Sequence, residues 1–195
     1  MRSTTAIIFF GIFFLITGLI SFYIYIRGLQ SIPPGSNLRH ACTIVFWIVA
    51  CSFIGGRAIE RFLPTILSDF LIWMGSFWIA AMVYFFLAVV FLDLLRLVNH
   101  FIPIFPSAIR EHYVQAKYLV SASVIGLVLL TLLAGHINSL IPRVRELDLK
   151  IDKKAGTQKT LNIVVASDIH LGTIVGRSRF DHIVKKINRL NPDLV

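Results

Sequence analysis

The stretch Phe70–Leu92 reads FLIWMGSFWIAAMVYFFLAVVFL and contains no Asp, Glu, Lys or Arg. An apolar stretch of this length is enough for one α-helix to cross the hydrocarbon core of a bilayer, which is about 30 Å thick. Asp93 follows it, and Arg96 comes one helical turn later, a spacing at which the two side chains can pair. The stretch therefore predicts a transmembrane helix that closes at a polar boundary.

The composition of the whole chain agrees with this prediction. Of its 195 residues, 56% are hydrophobic, and the mean hydropathy is +0.79, whereas an ordinary soluble domain is about 45–50% apolar. The formal net charge of +9 is compatible with nucleic-acid binding, but the basic residues lie mostly between and after the apolar stretches. Membrane topology explains that distribution, so we predict an integral membrane protein that contacts the lipid bilayer and binds no nucleic acid.

Three further apolar stretches have the length of a membrane span. They lie on both sides of 70–92, at residues 4–26, 41–63 and 118–141. The first could instead be a secretory signal peptide, but it is longer than a signal h-region and no small-x-small cleavage site follows it. Residues 1–142 are therefore predicted to form an α-helical membrane domain of four transmembrane helices, with both of its ends on one side of the membrane.

The distribution of Lys and Arg predicts which side that is. The side of the N-terminus would hold Arg2, Arg57, Arg61, Arg143, Arg145, Lys150, Lys153 and Lys154, and the opposite side Arg27, Arg39, Arg96, Arg110 and Lys117. By the positive-inside rule, this excess places both ends in the cytoplasm. The expected location is the plasma (inner) membrane of a bacterium, with the soluble domain in the cytoplasm.

Polar residues in the second span have structural explanations. Arg57 and Glu60 are spaced to pair near its end, where an interfacial anchor is a simpler explanation than a functional charge cluster. Cys42 and Cys51 lie on opposite faces of one helix and cannot bridge each other within it. They are predicted to be small buried hydrophobic residues rather than a redox pair.

After the fourth span the hydrophobic pattern changes its period. Residues 144–152 alternate polar and apolar, which predicts an edge strand, and the β-branched run 161–166 predicts a strand buried in a parallel sheet. Apolar residues at helical spacing over 179–190 predict an amphipathic helix with Ser178 as its N-cap. Residues 193–195 resemble the start of another strand. Strand, loop, helix and strand together make a βαβ opening.

Two metal-capable side chains follow the predicted strand 161–166. Asp168 and His170 would lie just past its carboxyl end, the edge where open α/β sheets bind ligands. In an extended segment, residues separated by one point to the same side, so a carboxylate oxygen and an imidazole nitrogen can converge on one cation. Gly172 would let the chain turn away sharply.

The motif Ser167-Asp168-Ile169-His170-Leu171-Gly172 resembles the first motif of the calcineurin-like metallophosphoesterases, an Asp-x-His that follows a hydrophobic strand. The resemblance implies that residues 143–195 are the incomplete start of an α/β phosphoesterase domain. It also implies that Asp168 and His170 bind one metal of a two-metal centre. Divalent Mn, Fe or Zn would suit the mixed oxygen and nitrogen ligands. The family's later Gly-Asp-x-x-Asp, Gly-Asn-His and Gly-His-x-His motifs do not occur in this sequence.

The function that the resemblance implies is hydrolysis of a phosphate ester or anhydride by a membrane-anchored, two-metal phosphoesterase. Its substrate would be a phosphorylated small molecule or lipid. Two ligands cannot build a dinuclear site, so we expect this chain to be an N-terminal portion that is inactive alone, and no residue in it is assigned a catalytic role. The alternative is a four-helix membrane anchor, sensor or assembly module without catalysis.

Overall fold

The computed structural model describes residues 2–152, 156 and 160–195, except for the side chains of residues 2, 3, 108 and 110. The helices are α1 (Arg2–Leu29), α2 (Asn37–Phe62), α3 (Ile66–Phe101), α4 (Ser107–Glu111), α5 (Tyr113–Ser139) and α6 (Arg177–Asn188). Four of these, α1, α2, α3 and α5, are long and apolar enough to cross a membrane. The prediction of a helical membrane protein with four candidate spans is therefore confirmed.

Helix α3 is longer than the apolar stretch that predicts it. Its 36 residues give a length of about 54 Å, well beyond the roughly 30 Å of a hydrocarbon core. Asp93 and Arg96 end the apolar stretch but not the helix, because Arg is a good helix former and the two side chains pair at helical spacing, Arg96 Nη1 to Asp93 Oδ1 at 3.1 Å. Hydropathy marks where the lipid contact ends rather than where the helix ends.

The turn between α2 and α3 is built by local signals. Leu63, which caps α2 in an extended conformation, precedes Pro64, and a residue before proline is disfavoured in the helical region. Thr65 then forms a capping box with Ser68: the Thr65 side chain accepts from the Ser68 backbone N–H, and the Ser68 hydroxyl lies 3.0 Å from the Thr65 nitrogen. This short turn makes α2 and α3 antiparallel neighbours.

Small residues let α2 and α3 approach closely. A Cβ added at Gly56 would lie 2.8 Å from the backbone nitrogen of Ile72, and one at Gly75 would collide with the backbone of Phe53. Ser52, which lies one helical turn before Gly56, is also buried. Membrane helices associate through such small-residue surfaces because lipid removes the hydrophobic drive for their contact.

A small apolar core joins the spans. Its buried members are Ile24, Trp78, Ala81, Met82 and Val128. Most other large apolar side chains on the spans are exposed, as expected for helices whose outer faces contact lipid. Cys51 is among the exposed residues and Cys42 is only half-buried, so the prediction that the protein interior buries both cysteines is wrong. Hydropathy does not distinguish a core-facing position from a lipid-facing one.

The chain divides into two compact units, Met1–Ala134 and Gly135–Val195. The predicted domain boundary between residues 142 and 143 stays a prediction, since this division falls within α5. In the second unit the amphipathic helix is confirmed as α6, which begins and ends two residues earlier than predicted. Ser178 is not its N-cap. Gly176 occupies that position without a side-chain hydrogen bond, because the chain is already helical at Arg177.

The predicted strands are reduced to one parallel bridge, between Ile163 and Leu194. Val164 donates to the Leu194 carbonyl at 2.9 Å, and Asp193 donates to the Asn162 carbonyl at 2.8 Å. Over the described residues, 144–152 is not a strand and no longer ladder forms. A buried parallel strand needs neighbours on both edges and layers on both faces, and Leu161, Ile163 and Val165 remain exposed here. The predicted βαβ opening is therefore not formed over the described residues beyond this single bridge and α6.

Candidate metal centre

The loop between the bridge and α6 holds both predicted ligands in an unusual backbone conformation. Asp168 has φ 56° and His170 has φ 49°, which places both in the left-handed region. Such a conformation is uncommon for residues other than glycine, although Asp and His adopt it more often than most. The extended geometry that the sequence analysis assumed for this pair is therefore wrong, and the chain coils between the two residues.

Left-handed residues cost roughly 1–3 kcal/mol each and tend to cluster at ligand-binding loops. Asp168 and His170 both have this conformation and are separated by a single residue. Local backbone preference alone does not favour two such residues so close together. Both side chains are exposed. Polar heads that point into solvent at a strained loop are available to a ligand.

The loop then turns at residues 172–175, where Gly172 donates to the Val175 carbonyl at 3.2 Å. The turn predicted at Gly172 is present. Gly172 itself does not have a positive φ, so the turn does not use the conformational freedom of glycine. The left-handed bends at Asp168 and His170 redirect the chain instead.

The ligand set that the described residues supply is incomplete. No group of three or more His, Cys, Asp or Glu side chains within the described part of the chain is placed to hold a metal ion. Protein metal sites normally use at least three protein ligands, so Asp168 and His170 fit a metal only as part of a larger set. Their role as ligands stays a prediction.

A polar cluster at the ends of α1 and α3 was only partly predicted. Besides Arg96, Asp93 accepts from the Tyr23 hydroxyl and pairs with Arg27, whose Nη2 lies 2.6 Å from Asp93 Oδ2. The pairs Asp93–Arg96 and Arg57–Glu60, predicted from their helical spacing, are both confirmed. The contacts of Asp93 with α1 leave one signal in the sequence: Arg27 and Asp93 are charged residues at the same end of two predicted spans.

Comparisons with known proteins agree with the membrane assignment and with the motif. The chain is 38% identical over 76 residues to a zebrafish (Danio rerio) protein named "Transmembrane protein with metallophosphoesterase domain", covering 37% of this chain and 17% of that protein. It is also 38% identical over 53 residues to a bovine (Bos taurus) protein of the same name, covering 27% of this chain and 12% of that protein.

No family model and no solved structure matches the chain. The chain spans less than a fifth of the length of these two relatives. With four candidate spans, it is an integral membrane protein, and the matches confirm its resemblance to transmembrane proteins with a metallophosphoesterase domain. Both relatives are animal proteins, so the expected bacterial inner membrane stays a prediction.

Proposed function

We propose that this chain supplies the membrane anchor and the first metal-binding motif of a metal-dependent phosphoesterase that hydrolyses a phosphate ester or anhydride. The observation that carries the proposal is the Asp-x-His motif on a strained loop, between a parallel bridge and α6. The likeness to relatives named for a metallophosphoesterase domain supports it. In this proposal an α/β domain begins near residue 143.

Asp168 and His170 would provide one carboxylate and one imidazole ligand to a divalent Mn, Fe or Zn ion of a two-metal centre. Residues outside the described part of the chain would complete that centre. Bound ions would stabilise charge that develops on the phosphoryl oxygens. The chain alone would be inactive, because two ligands do not hold a dinuclear centre. The substrate would be a phosphorylated small molecule or lipid, with the domain on the cytoplasmic side.

The test compares hydrolysis of a chromogenic phosphodiester, with added manganese, by this chain and by a chain that continues past Val195 through a complete phosphoesterase domain. We expect activity only in the longer chain. There, Asp168→Asn should lower kcat by at least about a hundredfold, since even residues that merely support metal ligands cost 10–100-fold. The matched control is Asp181→Asn, an exposed carboxylate on α6, which should leave kcat unchanged.

A second candidate is a four-helix membrane anchor, sensor or assembly module without catalysis. It is favoured by the lack of a third ligand beside Asp168 and His170 among the described residues. No activity in the longer chain, with any of the three metals, would favour this candidate. Equal loss of activity in Asp168→Asn and Asp181→Asn would contradict the ligand assignment while leaving a phosphoesterase.

A further inference from the structure

Most of the positive charge of α6 and of its C-cap residue, Arg189, lies on one face. The residues concerned, called here the basic face, are Arg179, His182, Lys185, Lys186 and Arg189. At 100° per residue they fall within an arc of roughly 120°. The only acidic residue of the helix, Asp181, lies outside that arc, and the apolar residues occupy the adjoining one. The helix therefore presents a continuous cationic surface without a carboxylate in it.

Two members of the basic face bind backbone carbonyls at, or three residues after, the end of the last candidate span. Arg179 donates to the carbonyl of Ser139, the final residue of α5, and Lys186 donates to the carbonyl of Pro142. The final carbonyls of a helix lack intrahelical partners and carry the negative end of its dipole, so cations are favoured there. The chain turns polar directly after Pro142, which places this end of α5 at the membrane surface.

Among the described residues, the basic face has no ion-pair partner. His182, Lys185, Lys186 and Arg189 line a shallow cavity of about 270 Å³ together with Leu190. Within the described residues no carboxylate forms an ion pair with Lys185 or Arg189. Their aliphatic stems and Leu190 give the cavity an apolar wall beneath charged heads. Positive charge concentrated in this way attracts an anion.

We propose that the basic face of α6 binds the phosphate-bearing headgroups of anionic lipids at the end of α5. A lipid phosphate is the anion that is present in quantity where a transmembrane helix leaves the bilayer, and clusters of Lys and Arg beside such an end attract it. Headgroup binding would hold α6, and the loop that precedes it, against the membrane surface. The proposal does not depend on phosphoesterase activity, because it uses neither Asp168 nor His170.

The test titrates the full chain, purified in a neutral detergent, with dioctanoyl-phosphatidylglycerol and follows binding by calorimetry. We expect saturable binding that dioctanoyl-phosphatidylcholine does not reproduce. The double variant Lys185→Gln/Arg189→Gln should weaken it by roughly thirtyfold, given the usual contribution of a basic residue beside an anionic surface. The matched control Arg145→Gln/Arg177→Gln removes the same charge outside the basic face and should change the affinity by less than about threefold.

Three results would overturn the proposal: equal affinity for the two lipids, equal weakening by both double variants, and inorganic phosphate binding as tightly as the anionic lipid. The first would mean that headgroup charge is not recognised, and the second that only net charge matters. The third would identify a site for a free anion. Circular dichroism of each variant shows whether the helices are retained, and glutamine keeps helix propensity close to that of the replaced residues.

Discussion

Asp93 shows how a single carboxylate can organise the end of a membrane protein. It is about one-fifth exposed and faces Arg27 from α1 and Arg96 from its own helix. The Tyr23 hydroxyl donates to it as well, and Arg27 stacks over the Tyr23 ring. These three partners satisfy the hydrogen bonds and balance the charge of a carboxylate at the edge of an apolar region. The contacts to Tyr23 and Arg27 join α1 to α3.

Replacing Asp93 tests this arrangement. Asp93→Asn should lower the free energy of unfolding by about 1.5–3 kcal/mol, because Arg27 loses its carboxylate partner between two helices. The control Glu60→Gln breaks an ion pair on a helix surface, with Arg57 at 2.8 Å, and should cost less than about 0.5 kcal/mol. Unfolding in detergent, followed by circular dichroism, measures both. Equal losses would show that the contact between α1 and α3 adds nothing.

At the scale of elements, α2 and α3 form the tightest helix pair in the first unit. Their contact depends on Gly56 and Gly75, which each meet the backbone of the other helix. Backbone atoms at this distance cannot move aside for a larger residue, whereas the end of a flexible side chain can. Small residues at these positions therefore set the distance between the two helices.

Gly75→Ala should push α2 away from α3 and lower the free energy of unfolding by about 1–3 kcal/mol, the usual cost of overpacking. Gly126→Ala is the matched control, because a Cβ there meets nothing within 4 Å and alanine is the better helix former. The control should leave the unfolding midpoint unchanged or raise it. A Gly75→Ala protein as stable as the Gly126→Ala protein would mean that the helices can separate without cost.

At the scale of the whole molecule, four membrane-crossing helices would place the connections between them alternately on the two sides of the membrane. In a variant without Cys42 and Cys51, single cysteines at Pro34 and Pro103 should react with an impermeant maleimide added to intact cells. A cysteine at Arg145 should react only after lysis, because the excess of Lys and Arg favours a cytoplasmic location. The reverse pattern would invert the orientation, and different labelling at Pro34 and Pro103 would contradict four spans.

Much of the fold follows from the sequence, because hydropathy and helical spacing act over a few residues. Four apolar stretches predict the candidate spans, and the spacing of Asp93 and Arg96 predicts their pair. Local sequence patterns do not predict structure that depends on contacts with residues elsewhere in the chain. The β-branched run before Asp168 predicts a strand, yet only Ile163 pairs, because strand formation needs partners that a local pattern cannot supply.

The candidate site divides in the same way. The sequence by itself determined the membrane class and the Asp-x-His motif, since both depend on residue chemistry in a fixed order. Only the tertiary structure placed Asp168 and His170 in the left-handed region and joined Arg27 to Asp93. It also set Arg179 on the last residue of α5 and Lys186 on the carbonyl of Pro142, just after that helix. These are contacts between distant residues or conformations against local preference. The contacts bring together residues far apart in the sequence, and no short stretch of sequence encodes them.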